Sequence, residues 1–290
     1  MSLTCQIKEL DSPVNKFFLT YMNDARTKTF IKTVRQKQYA WLIRVSSSPD
    51  AAKHAAVVGR EFDYLVLATT WGVKIENTVA AIVIHNPLMM RDHWFNSLWK
   101  DLQSQWPVHI TLPDETLIKY TVVLAWIEGI YRSGHLATGL EEAKQQNLNL
   151  TDLVTTIPAC VIQDLQNLLD YSQITRGIEW KGRRVEENPD FAGSHDVGGA
   201  DADWIVDQTL WDMKTTKYPA QSWHNDIKQI LVYALLDYAD EYHIEQVGLY
   251  YPRFGTTLQW PVTELLKELP GEEYSMEKWR EIFQNFISNA

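Results

Sequence analysis

Hydrophobic and polar positions change period part-way along the 290-residue chain. From Asn15 to about Leu169 apolar residues return mostly at three- and four-residue intervals, the spacing of amphipathic helices. Ser48-Pro49 is a helix start signal, a capping hydroxyl followed by proline in the first turn. The helix expected over 49–69 carries Val58, Phe62, Leu65 and Val66 on one stripe. Two more helices are expected over Pro113–Tyr131, ending near Ser133-Gly134, and over Pro158–Tyr171. From Arg183 to Thr216 the pattern shortens to alternation, broken by the loop Asn188–Gly199 with its Pro and Gly residues. Ser222–Asp240 returns to helical spacing, with Trp223, Ile227, Ile230, Leu231, Ala234, Leu235 and Tyr238 on one stripe. Gln246–Tyr251 and Leu258–Val262 predict two strands joined through Gly255, and Met276–Ile287 a last amphipathic helix. This order predicts an α/β fold, a mixed sheet flanked by helices and preceded by a mainly helical N-terminal region. The expected division is a helical region over 1–170 packing on a core over 171–290, together one compact unit. The chain shows no internal repeat and no low-complexity segment.

The stretch Gly199–Thr216 concentrates the chemistry. Asp207-Gln208 lies between two alternating runs and predicts the two-residue loop of a hairpin. In that register Asp203 faces Asp212, Asp201 faces Lys214 and Trp204 faces Trp211. Side chains alternate across a strand, so 201, 203, 212 and 214 share one face, and Trp204, Val206, Trp211 and Met213 share the other. Two carboxylates directly opposite each other repel. A divalent cation removes that penalty, since hard cations such as Mg²⁺ take one or two carboxylates as ligands. An exposed polar hairpin face is the plainer alternative, and Ile205 and Leu210 on the acid face argue against it. Lys214 beside such a metal has an ammonium suited to positioning water or to stabilising charge on a phosphate.

Asp203 followed by Asp212-Met-Lys214 resembles the acidic residue and D-x-K elements of the PD-(D/E)XK nuclease superfamily. Gln229-Ile-Leu-Val-Tyr233 on the next helix resembles the Q-x-x-x-Y element of its RecB-type and lambda-exonuclease-type members, and the pair, four residues apart, shares one side of that helix. The resemblance covers 179–262, extends over Asn188-Pro-Asp-Phe-Ala-Gly-Ser194, and is close to bacterial members that are themselves uncharacterised. It implies a restriction-endonuclease-like fold and hydrolysis of phosphodiester bonds. Asp203 and Asp212 would bind Mg²⁺ or Mn²⁺ with the Met213 backbone carbonyl, and Lys214 would be the catalytic lysine. Gln229, Tyr233, Thr215 and Lys217 would contact nucleic acid, DNA favoured over RNA by family habit. Asp201 is a second-tier ligand from the hairpin geometry. Upstream, Val58-Gly-Arg-Glu-Phe-Asp63 resembles the first helix of RecB-type nucleases and makes Glu61 and Asp63 candidate ligands, with a solvated helix face as the alternative. Glu128 and Arg132 rank below them. An inactive nuclease-fold binding or assembly subunit, and a phosphodiesterase for RNA or small nucleotides, are the rival functions; a role in phage defence or DNA repair is family habit alone.

Composition narrows the field. With 45% hydrophobic and 22% charged residues the chain reads as globular. No apolar run approaches the roughly 18 residues of a membrane span, and no secretory signal opens the chain, so a cytoplasmic protein without a membrane partner is expected. A formal charge of -10 argues against coating nucleic acid through broad electrostatics. A local basic strip, drawn from Arg176, Lys181, Arg183, Arg184, Lys214, Lys217 and Lys228, would have to guide it, unless a homo-oligomer or a partner protein supplies a basic surface. Cys5 and Cys160 make neither a disulfide framework nor a zinc set. The eight His residues show no H-E-x-x-H pairing; His195 and His224 read as loop and helix-start residues. Neither a phosphate-binding glycine loop nor a G-x-S-x-G elbow is present. The 12 Trp read mainly as core anchors.

Overall fold

A computed structural model describes residues 3–38, 42–52, 54–106, 115–172, 180 and 183–290. The chain divides into two compact units, one formed by Met1–Ile43 with Arg183–Ala290, the other by Arg44–Gly182. The division therefore falls away from the boundary expected near residue 170, and the N-terminal helices join the sheet-bearing unit.

That unit opens with helices α1 (Leu3–Lys8), α2 (Pro13–Tyr21) and α3 (Asp24–Gln38). Ser12 caps α2 by accepting the Asn15 N–H at 3.1 Å, and Pro13 occupies the first turn. The second unit holds helices and no strand among its described residues. It comprises α4 (Pro49–Ala52), α5 (Ala55–Val66), α6 (Val79–Ile84), α7 (Pro87–Met90), α8 (His93–Gln105), α9 (Glu115–Ser133), α10 (Thr138–Gln145), α11 (Leu150–Leu153) and α12 (Ala159–Ser172). The expected helix over 49–69 is thus two helices, the second running into a π-helical turn, Leu67–Trp71. Its stripe holds: Val58, Phe62, Leu65 and Val66 are all buried. Helices α5, α9 and α12 pack on one another, and Ile118, Val122, Leu165 and Leu169 of the last two are buried. Pro113, expected to begin α9, lies outside the described residues.

The chain then returns to the first unit. Strands β1 (Val185–Glu187), β2 (Trp204–Val206) and β3 (Thr209–Met213) precede α13 (Pro219–Leu236). After it come β4 (Gln246–Tyr251), β5 (Thr256–Pro261), α14 (Val262–Glu268) and α15 (Met276–Ser288). The five strands form one sheet in sequence order, antiparallel except for the parallel pair β3–β4. The protein is thus α/β with a mixed sheet, and α13 is the crossover that a parallel pair requires. Twelve of the eighteen α13 residues are buried, so the helix is enclosed nearly all round instead of showing one apolar stripe. Its Trp223, Ile227 and Ile230 share a core with Ile205, Leu210 and Val247 of the sheet, and with Phe17, Trp279 and Phe283 of α2 and α15. On the opposite sheet face Trp211 lies over Gly248, where a Cβ would stand 2.3 Å from the indole. Any larger residue there would require the Trp211 ring or the strand to shift. Gly255, at φ 59°, turns the chain from β4 into β5. No helix among the described residues is long and apolar enough to cross a membrane.

Candidate functional site

The β2–β3 hairpin adopts the expected register: Trp204 opposes Trp211, Ile205 opposes Leu210 and Val206 opposes Thr209. Asp207 turns the corner at φ 54°, a left-handed conformation that Asp tolerates better than most residues. Ile205 and Leu210 are buried against α13, which places the acid face of the hairpin beneath that helix.

The ladder ends at the Trp204–Trp211 pair because a side chain takes over. Asp203 Oδ2 accepts the Met213 N–H at 2.6 Å. Asp201 forms an isolated bridge with Asp190, so the cross-strand pair expected between Asp201 and Lys214 is not part of the ladder. Asp212 is 4% exposed, and its Oδ2 lies 2.6 Å from Lys214 Nζ. Lys214 also donates to Gln229 Oε1 of α13 at 2.9 Å. Burial by itself would pull the Lys214 ammonium down; the charges of Asp212, Asp226 and Asp203 outweigh it and hold the group above its ordinary range.

Asp226 is the residue that sequence reasoning missed. It lies three positions before Gln229 on the same side of α13, is buried, and accepts from Ser222 Oγ at 2.7 Å. Its i, i+3, i+7 spacing with Gln229 and Tyr233 was the available signal. Tyr251 of β4 joins the cluster. Burial, followed by the charges of Asp226 and Asp212, pushes its phenol well above the ordinary value. A second missed contributor is α1: Gln229 Nε2 donates to Thr4 Oγ1 at 3.1 Å and to the Tyr233 hydroxyl at 3.0 Å. The Gln229 amide therefore braces Lys214 from within the core. Tyr233 is 3% exposed and stacks on Phe191 with ring centres 6.0 Å apart.

Thr215 and Lys217 follow β3 and are half-buried, with the Thr215 carbonyl accepting from the buried Arg253 Nε at 2.6 Å. Arg183 and Arg184 are exposed, Arg183 lying 3.4 Å from Asp207, whereas Arg176 and Lys181 lie outside the described residues. His195 and His224 are exposed. Glu61 and Asp63 belong to the other unit. Glu61 is 1% exposed there, so the solvated helix face does not apply to it. Burial raises its carboxyl, Arg60 lowers it and Asp164 raises it, leaving it at about 8. Glu128 is buried in α9 and paired with Arg132.

The charges of three carboxylates, Asp212, Asp226 and Asp203, act on the one Lys214 ammonium, which lies 2.6 Å from the Asp212 oxygen. Among the described residues no group of three or more His, Cys, Asp or Glu is placed to hold a metal ion. Mg²⁺ does not require such a group, since it is usually held by one or two carboxylates with water and substrate phosphate completing the shell. No known protein family, curated protein or solved structure matches the chain.

Proposed function

We propose that this protein is a metal-dependent nuclease with a restriction-endonuclease-like core, cutting phosphodiester bonds, preferentially in DNA. The observation that supports this most is the convergence of Asp203 and Asp212 on Lys214, and of Lys214 on Gln229, across the hairpin and α13. In this reading Asp203 and Asp212 hold Mg²⁺ or Mn²⁺. The bound ion would polarise a phosphoryl oxygen and acidify a water.

The remaining work falls to the chain's own groups. Lys214 stays protonated at neutral pH and offers its ammonium to the phosphate or to the attacking water. Gln229, fixed by Thr4 and Tyr233, keeps that ammonium in place. Asp226 adds negative charge behind it, and the Asp203 carboxylate holds the end of β3 through the Met213 N–H.

The test is direct. Purified protein is incubated with linear, circular and single-stranded DNA and with RNA, with Mg²⁺ or Mn²⁺, beside Lys214→Ala. Cleavage that requires metal and disappears in the variant supports the reading. Absence of cleavage with either metal, or equal cleavage by the variant, overturns it. Calorimetric Mg²⁺ titration with an Asp212→Asn control separates a metal-free scaffold from a slow enzyme.

A further inference from the structure

A cavity of about 110 Å³ lies in the sheet-bearing unit, and neither Lys214 nor Asp203, Asp212 or Asp226 lines it. Phe18 and Leu19 of α2, Met22, Ile31 of α3, Ile227 of α13 and Leu269 supply its apolar wall. The volume is of the order of cavities that accept a single benzene ring.

Two polar groups in this wall are incompletely matched, an ammonium without a counter-charge and a hydroxyl without a hydrogen bond. Lys228 is half-buried. Its ammonium sits 5.1 Å from the centre of the Phe18 ring and donates to Asn15 Oδ1 at 3.0 Å. The influence acting on it is burial, which lowers it, and no carboxylate among the described residues forms an ion pair with it. Lys214, by contrast, is surrounded by three. Thr27 is 8% exposed, and its hydroxyl is buried without a hydrogen-bond partner. An unpartnered buried hydroxyl and an uncompensated ammonium both carry a desolvation cost that an anionic acceptor would remove.

We infer that this cavity binds a small apolar carboxylic acid, its ring or short chain among Phe18, Met22, Ile31 and Ile227, its carboxylate on Lys228 and Thr27. A carboxylate fits better than a phosphate. One ammonium and one hydroxyl match a single negative charge with two oxygens, whereas a strongly hydrated dianion would face an apolar wall. The site is separate from the proposed nuclease chemistry, and its test reads binding instead of cleavage.

The full chain, labelled at its Met methyl groups, is titrated with benzoate while the Met22 signal is followed by NMR, with benzyl alcohol, benzylamine and inorganic phosphate as comparators. Benzoate is expected to shift Met22 saturably and to bind more tightly than all three. Lys228→Met should weaken benzoate by about tenfold or more, as loss of a charge-assisted hydrogen bond implies, while leaving benzyl alcohol unchanged. Thr27→Val should weaken benzoate by a smaller factor and serves if Lys228→Met does not fold. Equal binding of benzyl alcohol and benzoate, an unmoved Met22 signal, or undiminished benzoate binding by both folded variants would overturn the proposal.

Discussion

Lys214 Nζ donates to Gln229 Oε1 across 2.9 Å, tying the residue just beyond β3 to the middle of the helix that connects β3 to β4. The two residues are fifteen positions apart in sequence, and the parallel crossover closes the distance. This contact makes Gln229 a brace for the lysine.

Removing the brace should affect activity and stability separately. Gln229→Leu leaves Lys214, Thr4 and the Tyr233 hydroxyl without their amide partner, a loss of about 1–3 kcal/mol. Cleavage should fall by about tenfold to a hundredfold, short of the abolition expected for Lys214→Ala. Denaturant unfolding read beside single-turnover cleavage checks both; unchanged cleavage by Gln229→Leu would remove Gln229 from the site.

Burial of Glu61 makes the stability of the helical unit depend on pH. Its folded value of about 8 lies above the ordinary 4.5, so the folded state holds the proton more tightly than the unfolded chain. The associated stability is complete below about pH 4.5 and is lost as pH rises through about 8. Between those two values the loss is at most roughly 1.4 kcal/mol for each step of one in pH. Glu61→Gln should flatten that dependence and raise stability most at pH 8–9, seen in urea midpoints measured between pH 5.5 and 9. A variant as pH-sensitive as the parent would show the dependence to come from another group.

Arg280 of α15 binds the α13 end through a buried ion pair. Its Nη2 lies 3.4 Å from Asp237 Oδ2 and its Nη1 2.7 Å from Asp240 Oδ1, with Arg280 and Asp237 both buried. Arg280→Met strands a carboxylate that also accepts the Glu241 and Tyr242 N–H groups, and should cost about 3–5 kcal/mol. A urea midpoint close to that of the parent would contradict this.

Gly248→Ala tests the close approach of β4 to Trp211. The added methyl would meet the indole at 2.3 Å, so the ring or the strand must move, at about 1–3 kcal/mol. The near-ultraviolet circular dichroism of the buried tryptophans should change together with the melting temperature; an unperturbed spectrum would mean that Trp211 has another rotamer available.

Local pattern was enough for several features of this chain. Alternation around Asp207-Gln208 determined the hairpin register, because a one-residue slip would expose Ile205 and Leu210. The run Gln246–Tyr251 was legible as a strand with the bounds observed, and the stripe of Val58, Phe62, Leu65 and Val66 as a buried face. The order Asp203, Asp212, Lys214 and Gln229 was readable for the same reason, since a hairpin and its following helix are neighbours in sequence. What tertiary structure alone decided depends on contacts between distant segments. The assignment of residues 1–43 to the C-terminal sheet follows from α1 and α2 burying their faces on α13 and α15, which no local period encodes. Thr4 reaches Gln229 across 225 positions by that packing. Asp226 enters the Lys214 cluster because enclosure of α13 turns a polar helix position inward against Tyr251, where burial makes its charge count.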